Sequence, residues 1–282
     1  MQIRIRPCLL ILLLVTSMTG CGKPTSSVIS ELQLRLAAQT PIRQHVQSVV
    51  VNMSGTSVRS TANSAFGTPG TLPHIIDLVE LGGSNTRILE VLTLAEGRYD
   101  AVRLNIHEVT VTLLNGVQYN EVYPDPQGRE LIVEANTPVV VERGRKADAV
   151  IDFDLMRSIA FEGDTDRVHD ITGIRISPVG RLVDLASSGQ VSGSVKHDNG
   201  TPAVLRDDQP LSGYPVTFFQ PGRTDSVTVY SDDAGRYSAH FMPAGSYAMF
   251  SPATEETEAW SAENVVVTTA STTCQDVTAR KR

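Results

Sequence analysis

Period-two alternation of apolar and polar residues, restarted many times between short turn signals, is the feature that most constrains this chain. From Tyr99 to Leu113, one alternating set holds Val102, Leu104 and Ile106, and a second holds Val109, Val111 and Leu113, offset at Glu108. A β-strand buries every second side chain. The segment therefore predicts one long strand with a bulge near Glu108, where an extra residue shifts the register. Leu32, Leu34 and Leu36 predict an opening strand over 31–36. Further strands are predicted over 46–53, 75–81, 87–94, 130–134, 139–142, 149–153, 174–178 and 181–185. Ser54 to Gly70, rich in Ser, Thr, Gly and Asn, predicts a long loop. Asn115-Gly116 predicts a tight hairpin, because both residues tolerate positive φ, and Pro124 to Gly128 reads as a turn cluster.

After Ala186 to Gly189 the alternation restarts over Gln190 to Lys196 and meets a turn at Asp198-Asn199-Gly200. Turn signals at this spacing favour antiparallel sandwiches over alternating helices and strands. A length of 282 residues suits two domains. The expected fold is all-β, with two β-sandwich domains at 31–185 and 189–279.

The beginning of the chain is of another kind. Arg4 and Arg6 precede the apolar run Cys8 to Val15, and Met18, Thr19 and Gly20 stand before Cys21, which is the order of a secretory signal. The run is well short of the about 20 residues a spanning helix needs. Met18-Thr19-Gly20-Cys21 resembles the lipobox of bacterial lipoproteins. That resemblance implies removal of residues 1–20 and attachment of diacylglycerol and an N-acyl chain such as palmitate at Cys21, with 21–30 as a tether. Each buried methylene contributes about 0.8 kcal/mol to anchoring. Gly22 after the Cys resembles the outer-membrane sorting pattern of a host with two membranes. The alternative is an ordinary cleaved signal, with Cys21 an incidental thiol.

Removing residues 1–20 leaves 22 Lys and Arg against 31 Asp and Glu, a net charge near −9. This argues against nucleic acid, whose binding needs clustered positive charge. Cys8 leaves with the signal and Cys21 takes the lipid, so Cys274 remains alone. It is either a small buried apolar side chain or a thiol free to pair with another chain.

Several stretches of the first domain resemble a family catalogued as domain of unknown function 4382, found in bacterial envelope lipoproteins. They are Glu96-Gly97-Arg98-Tyr99 with Val102-Arg103-Leu104, Ile151-Asp152-Phe153-Asp154 with Ser158, and Ile176 to Val179. The family implies no known activity. Gly193-Ser194-Val195, Pro210 to Gly213, Val216 to Phe218, Ser231 to Tyr237 and Pro243 to Tyr247 resemble the carboxypeptidase regulatory-like, transthyretin-related sandwich. That likeness implies a spacer or binding surface.

No catalytic constellation is visible. The chain has no Gly-x-Ser-x-Gly, no Gly-rich phosphate loop, and six scattered His without metal-ligand spacing. Asp152 and Asp154 sit two apart and project from one strand face, so they are candidate calcium ligands or the acidic half of an Arg-paired face, with Arg157 nearby. Asp164 and Asp166 are read in the same way, and Asp232 and Asp233 as turn residues. Lys196, by resemblance to collagen-adhesin repeats, would bond covalently to Asp276 or Asn264 if it is not an ordinary exposed Lys. Trp260 and Tyr230 are candidates for stacking on carbohydrate, with a core role the other reading of Trp260. The sequence thus describes a lipid-anchored envelope protein, binding or structural rather than catalytic, on the outer membrane and facing periplasm or cell surface. Its expected partners are the membrane and an envelope protein or extracellular polysaccharide. The alternatives are an accessory subunit of an envelope enzyme, or a hydrolase whose site is assembled from distant residues.

Overall fold

The computed structural model describes residues 29–39, 45–70, 73–123, 128–200, 208–222 and 226–282. The expected leader, Cys21 and nearly all of the tether lie outside the described residues, as do residues 124–127 of the turn cluster.

The first part of the chain contains β1 (Ser30–Gln39), β2 (Val46–Ser60), β3 (His74–Asp77), β4 (Arg87–Leu94), β5 (Gly97–Leu113), β6 (Gln118–Val122), β7 (Arg129–Val141) and β8 (Lys146–Asp154). A single helical turn, α1 (Leu155–Ser158), leads to β9 (Ile159–Gly163), β10 (Ile171–Ile176) and β11 (Gly180–Asp184). The main sheet runs β3-β2-β5-β7-β11-β8-β1-β4, with β6 on β5, while β9 and β10 pair separately. β1 lies inside this sheet, antiparallel to β4 and parallel to β8. Its Leu32, Leu34 and Leu36 are fully buried, as the alternation requires, and join Leu104, Ile106, Val111 and Ile151 in one core.

The bulge falls where the offset pattern puts it. Asn52 faces Glu108 and Met53 faces Ile106, so His107 is the extra residue. Three other expectations are corrected. Ser54 to Ser60 continues β2 rather than opening a loop. After a bulge at Gly55 and Thr56, Ser57 pairs with Arg103, whose Nε donates to the Ser57 hydroxyl at 3.1 Å. Hydroxyl-rich sequence looked unlike a strand, yet the Ser54 and Ser57 hydroxyls bond across the ladder to His107 and Arg103. The strand expected over 75–81 stops at Asp77, whose carboxylate accepts from Val79 N–H and caps a 3-10 turn over Leu78–Leu81. The strands expected over 130–134 and 139–142 are one strand, β7. There Asp100 alone opposes residues 135–138, so Pro138 sits in a bulge that needs no ladder donor. At Asn115-Gly116 the hairpin exists, but only Gly116 has positive φ, and the Leu113 N–H donates to the Val117 carbonyl at 2.8 Å. The connection spans residues 114–116.

The second part contains β12 (Ser188–His197), β13 (Gln209–Pro210), β14 (Pro215–Phe219), β15 (Ser226–Tyr230) and β16 (Arg236–Pro243). It ends with β17 (Gly245–Ser251), β18 (Trp260–Val267), β19 (Thr272–Cys274) and β20 (Val277–Ala279). β12 lies between β16 on one side and the parallel β19 and β20 on the other, with β13 also pairing to it. A second sheet runs β15-β14-β17-β18. Val191, Tyr237 and Met242 of the first sheet meet Val216, Phe218 and Met249 of the second in a core separate from that of the first unit. The whole is nearly all β.

Candidate functional site

The two units meet at a bulge in β16. Tyr237 and Ala239 face the second core, and strict alternation would send Phe241 after them. Instead Gly189 faces Met242 and Val191 faces Ala239, so Gln190 alone opposes both His240 and Phe241. The extra residue reverses the faces beyond it. Met242 takes the core position, and Phe241, held at φ +53°, turns outward. A bulky residue at positive φ costs on the order of 1–3 kcal/mol and persists only where surrounding contacts over-determine it.

Those contacts lie on the first unit. Ala37 of β1, Val150 of β8 and Val183 of β11 stand on the sheet face opposite the main core, where they form a small buried apolar cluster. Phe241 and Leu185 pack against it. Beside this plug, Arg181 donates from Nε and Nη2 to Asp152 Oδ2 at 3.0 and 2.8 Å. The same Nη2 reaches the His240 carbonyl oxygen at 2.9 Å, and Nη1 lies 3.9 Å from Met242 Sδ. One guanidinium thus ties a carboxylate of the first unit to the bulged backbone of the second. His240 Nδ1 lies 2.9 Å from Gln190 Oε1, which holds the bulge from its other side.

The units also approach each other at β15. Tyr230 has its hydroxyl pKa raised by burial and further by the Asp154 charge. Burial likewise raises the Asp154 carboxyl, against the pull of Arg157. A cavity of about 90 Å³ between Asp154, Arg157 and Thr228 separates the units here.

The candidate residues are now placed. Asp152 is paired with Arg181, not Arg157, whereas Asp154 accepts from the Arg157 N–H at 3.0 Å and caps α1. Among the described residues, no group of three or more His, Cys, Asp or Glu could hold a metal ion. Asp166 N–H donates to Asp164 in an exposed loop, and Asp232 accepts from Ala234, Arg236 and the Arg236 side chain, as a turn residue does. Trp260 packs against the second core, while Tyr230 follows the core residue Val229 and so points to the opposite face. They form no common aromatic shelf. Cys274 is exposed in β19, which corrects the buried reading, because Val191 and Val277 fill the core instead. Lys196 is exposed, and the Asp276 carboxylate accepts from the backbone and hydroxyl of Ser194 at 2.7 and 2.8 Å. Arg181, His240 and Phe241 were missed by sequence reasoning, since none carries a local signal.

The junction has a pH dependence. Burial holds the His240 imidazole below its ordinary range, partly opposed by the Asp152 charge. A lowered folded pKa gives stability that is present above the unfolded value, about 6.5, and is lost as pH falls through the folded value. The carboxyls of Asp154 and Asp184, raised chiefly by burial, act in the opposite sense and are common to wild type and variant. Acidification below neutrality should therefore lower the Tm of wild type more than that of His240→Gln. Parallel pH profiles would show that the imidazole does not feel its burial.

The chain is an all-β protein of two joined units, and its residues 30–167 match the family model described as Domain of unknown function (DUF4382). No curated protein matches the chain. Among solved structures it is similar to the Bacillus anthracis TIE protein, at 9% identity and a TM-score of 0.27, over 89% of this chain and 40% of that one. It is also similar to GBS52, the minor pilin of the gram-positive pathogen Streptococcus agalactiae, at 9% identity and a TM-score of 0.27, covering 89% of this chain and 96% of that one. BcpA, the major pilin subunit of Bacillus cereus, is 10% identical over 90% of this chain and 71% of that one, with a TM-score of 0.25.

Proposed function

We propose that this protein is a non-catalytic structural and binding module of the bacterial cell envelope, anchored by lipid at Cys21 and sorted to the outer membrane. The observation that carries the module reading is the junction itself. A strained Phe241, an apolar socket and a buried ion pair are all spent on fixing one β unit against the other. Such a joint suits a rod or platform that presents surfaces at a set spacing. The anchoring reading is supported by the order of charge, apolar run and small residues before Cys21. Metabolic labelling with an alkyne palmitate analogue, followed by membrane fractionation, tests it. Wild type should carry label and sediment with outer membranes, and Cys21→Ala should carry none and leave that fraction. Unlabelled, soluble wild type would overturn the anchor while leaving the joint intact.

A further inference from the structure

The joint leaves an open furrow between the units. Its larger part, about 630 Å³, runs along Arg35, Thr86, Arg145 and Asp148 and ends on Phe241. A second part, about 300 Å³, continues over Gln190, Ser271 and Thr272 of the second unit. Ser84, Leu185 and Phe241 line both, so the two parts are one continuous furrow. Its volume lies at the scale of ligand sites, which run from about 300 to 1,000 Å³.

We propose that this furrow binds a segment of a neutral polysaccharide. The first argument is charge. Three cations and three carboxylates line the larger part, and most are matched locally or tied down. Arg35 Nε lies 3.1 Å from Asp148, Arg145 Nη1 lies 2.6 Å from Glu142, Lys146 Nζ donates to the Gln33 amide oxygen, and Asp184 accepts from the Ala186 N–H at 2.9 Å. Internally matched charge offers little net field to draw a polyanion or polycation. The same groups keep hydrogen-bonding capacity beyond these pairs, since a guanidinium carries five N–H donors and a carboxylate about four lone-pair sites. The guanidinium and carboxylate groups are planar and held by their partners, and their remaining donors and acceptors suit vicinal sugar hydroxyls.

The second argument is the mixture of surfaces. Hydroxyl and amide groups at Ser84, Thr86, Gln190 and Thr272 alternate with the half-buried ring of Phe241 at the midpoint. An aromatic face among hydroxyl partners suits the C–H face of a sugar ring, one side apolar and the rim wet. Continuity across both units suits a chain rather than a compact metabolite. Gln190 is already oriented for this, with Nε2 donating to Thr272 Oγ1 at 2.5 Å and Oε1 held at His240.

The test uses the full chain purified in detergent, so that its outcome does not depend on whether Cys21 carries lipid. Calorimetric titration with maltose-, cellulose- and dextran-derived oligosaccharides, and with an oligouronate, measures the charge preference. Ser84→Trp and Thr272→Trp fill the furrow from exposed positions on either unit, away from the Arg181–Asp152 pair. A neutral oligosaccharide should bind with an affinity that does not change between about 50 and about 500 mM salt. Each Trp variant should weaken it by about tenfold or more, with thermal unfolding unchanged for Ser84→Trp, whereas Thr272→Trp also gives up the bond from Gln190. Binding of the oligouronate alone, with steep salt dependence, would overturn the proposal in favour of an anion site. So would the absence of neutral saccharide binding, or binding that ignores both Trp variants.

Discussion

Arg181→Ala should destabilise the protein by about 3–5 kcal/mol, the range measured when one partner of a buried ion pair is removed. Asp152 is only 4% exposed and Arg181 19%, so the carboxylate would lose the guanidinium against which its charge is buried. The loss includes the donor at the His240 carbonyl, which leaves the β16 bulge less firmly held to the first unit. Urea unfolding should then show the second unit melting apart from the first. Replacing both partners, as Asp152→Leu with Arg181→Met, should recover most of the loss, because a buried pair exchanged for apolar residues of similar size is often close to neutral. A single-variant cost under about 1 kcal/mol, the range of exposed pairs, would mean that water reaches this pair.

Gly193→Ala should be nearly as severe, at about 3 kcal/mol, the upper end of overpacking costs. A Cβ at Gly193 would stand well inside contact distance of the Gln275 carbonyl oxygen and carbon, which are backbone and cannot swing aside. That same carbonyl accepts from the hydroxyl of Tyr237, a residue 2% exposed in the second core. To make room, the crossing from β19 to β20 must lift, which breaks this bond and disturbs the Ser194 contacts of Asp276. Gly67→Ala is the control, since a methyl there meets only an ordinary contact at 3.7 Å and the backbone is unstrained. It should shift stability by no more than about 0.5 kcal/mol. Equal effects at the two positions would refute the collision.

The strands were legible because burial on one face writes itself into the sequence every second residue. β1 and β5 follow that rule, and even the His107 bulge is visible as a phase shift. The rule fails where both faces are covered. Ala149-Val150-Ile151 is an unbroken apolar run because Ile151 faces the main core while Val150 faces the socket for Phe241. Such runs signal a doubly covered strand, and this was the one available hint that something packs on the far side. Phe241 gave no such hint. Its alternation with Tyr237 and Ala239 places it in the second core, and only the pairing of β16 with β12, set about 50 residues earlier, turns it out. Asp152 was legible as a candidate and its local partner was misread. Arg157 is close in sequence, but Arg181 is the residue that the antiparallel pairing of β8 and β11 puts directly opposite.

The position of β1 has a consequence for how the molecule comes into being. This strand is made first, yet its parallel neighbour β8 begins more than a hundred residues later, with Glu31 opposite Lys146. Until β8 is available, Leu32, Leu34 and Leu36 have an incomplete sheet to enter. Non-local parallel pairing is slow because loop closure precedes the contacts that reward it, and exposed apolar strands aggregate meanwhile. One edge of β1 can be covered early by β4, while its other edge stays open until β8 has been made. A holdase that grips residues 30–38 during synthesis would guard the segment with the longest wait.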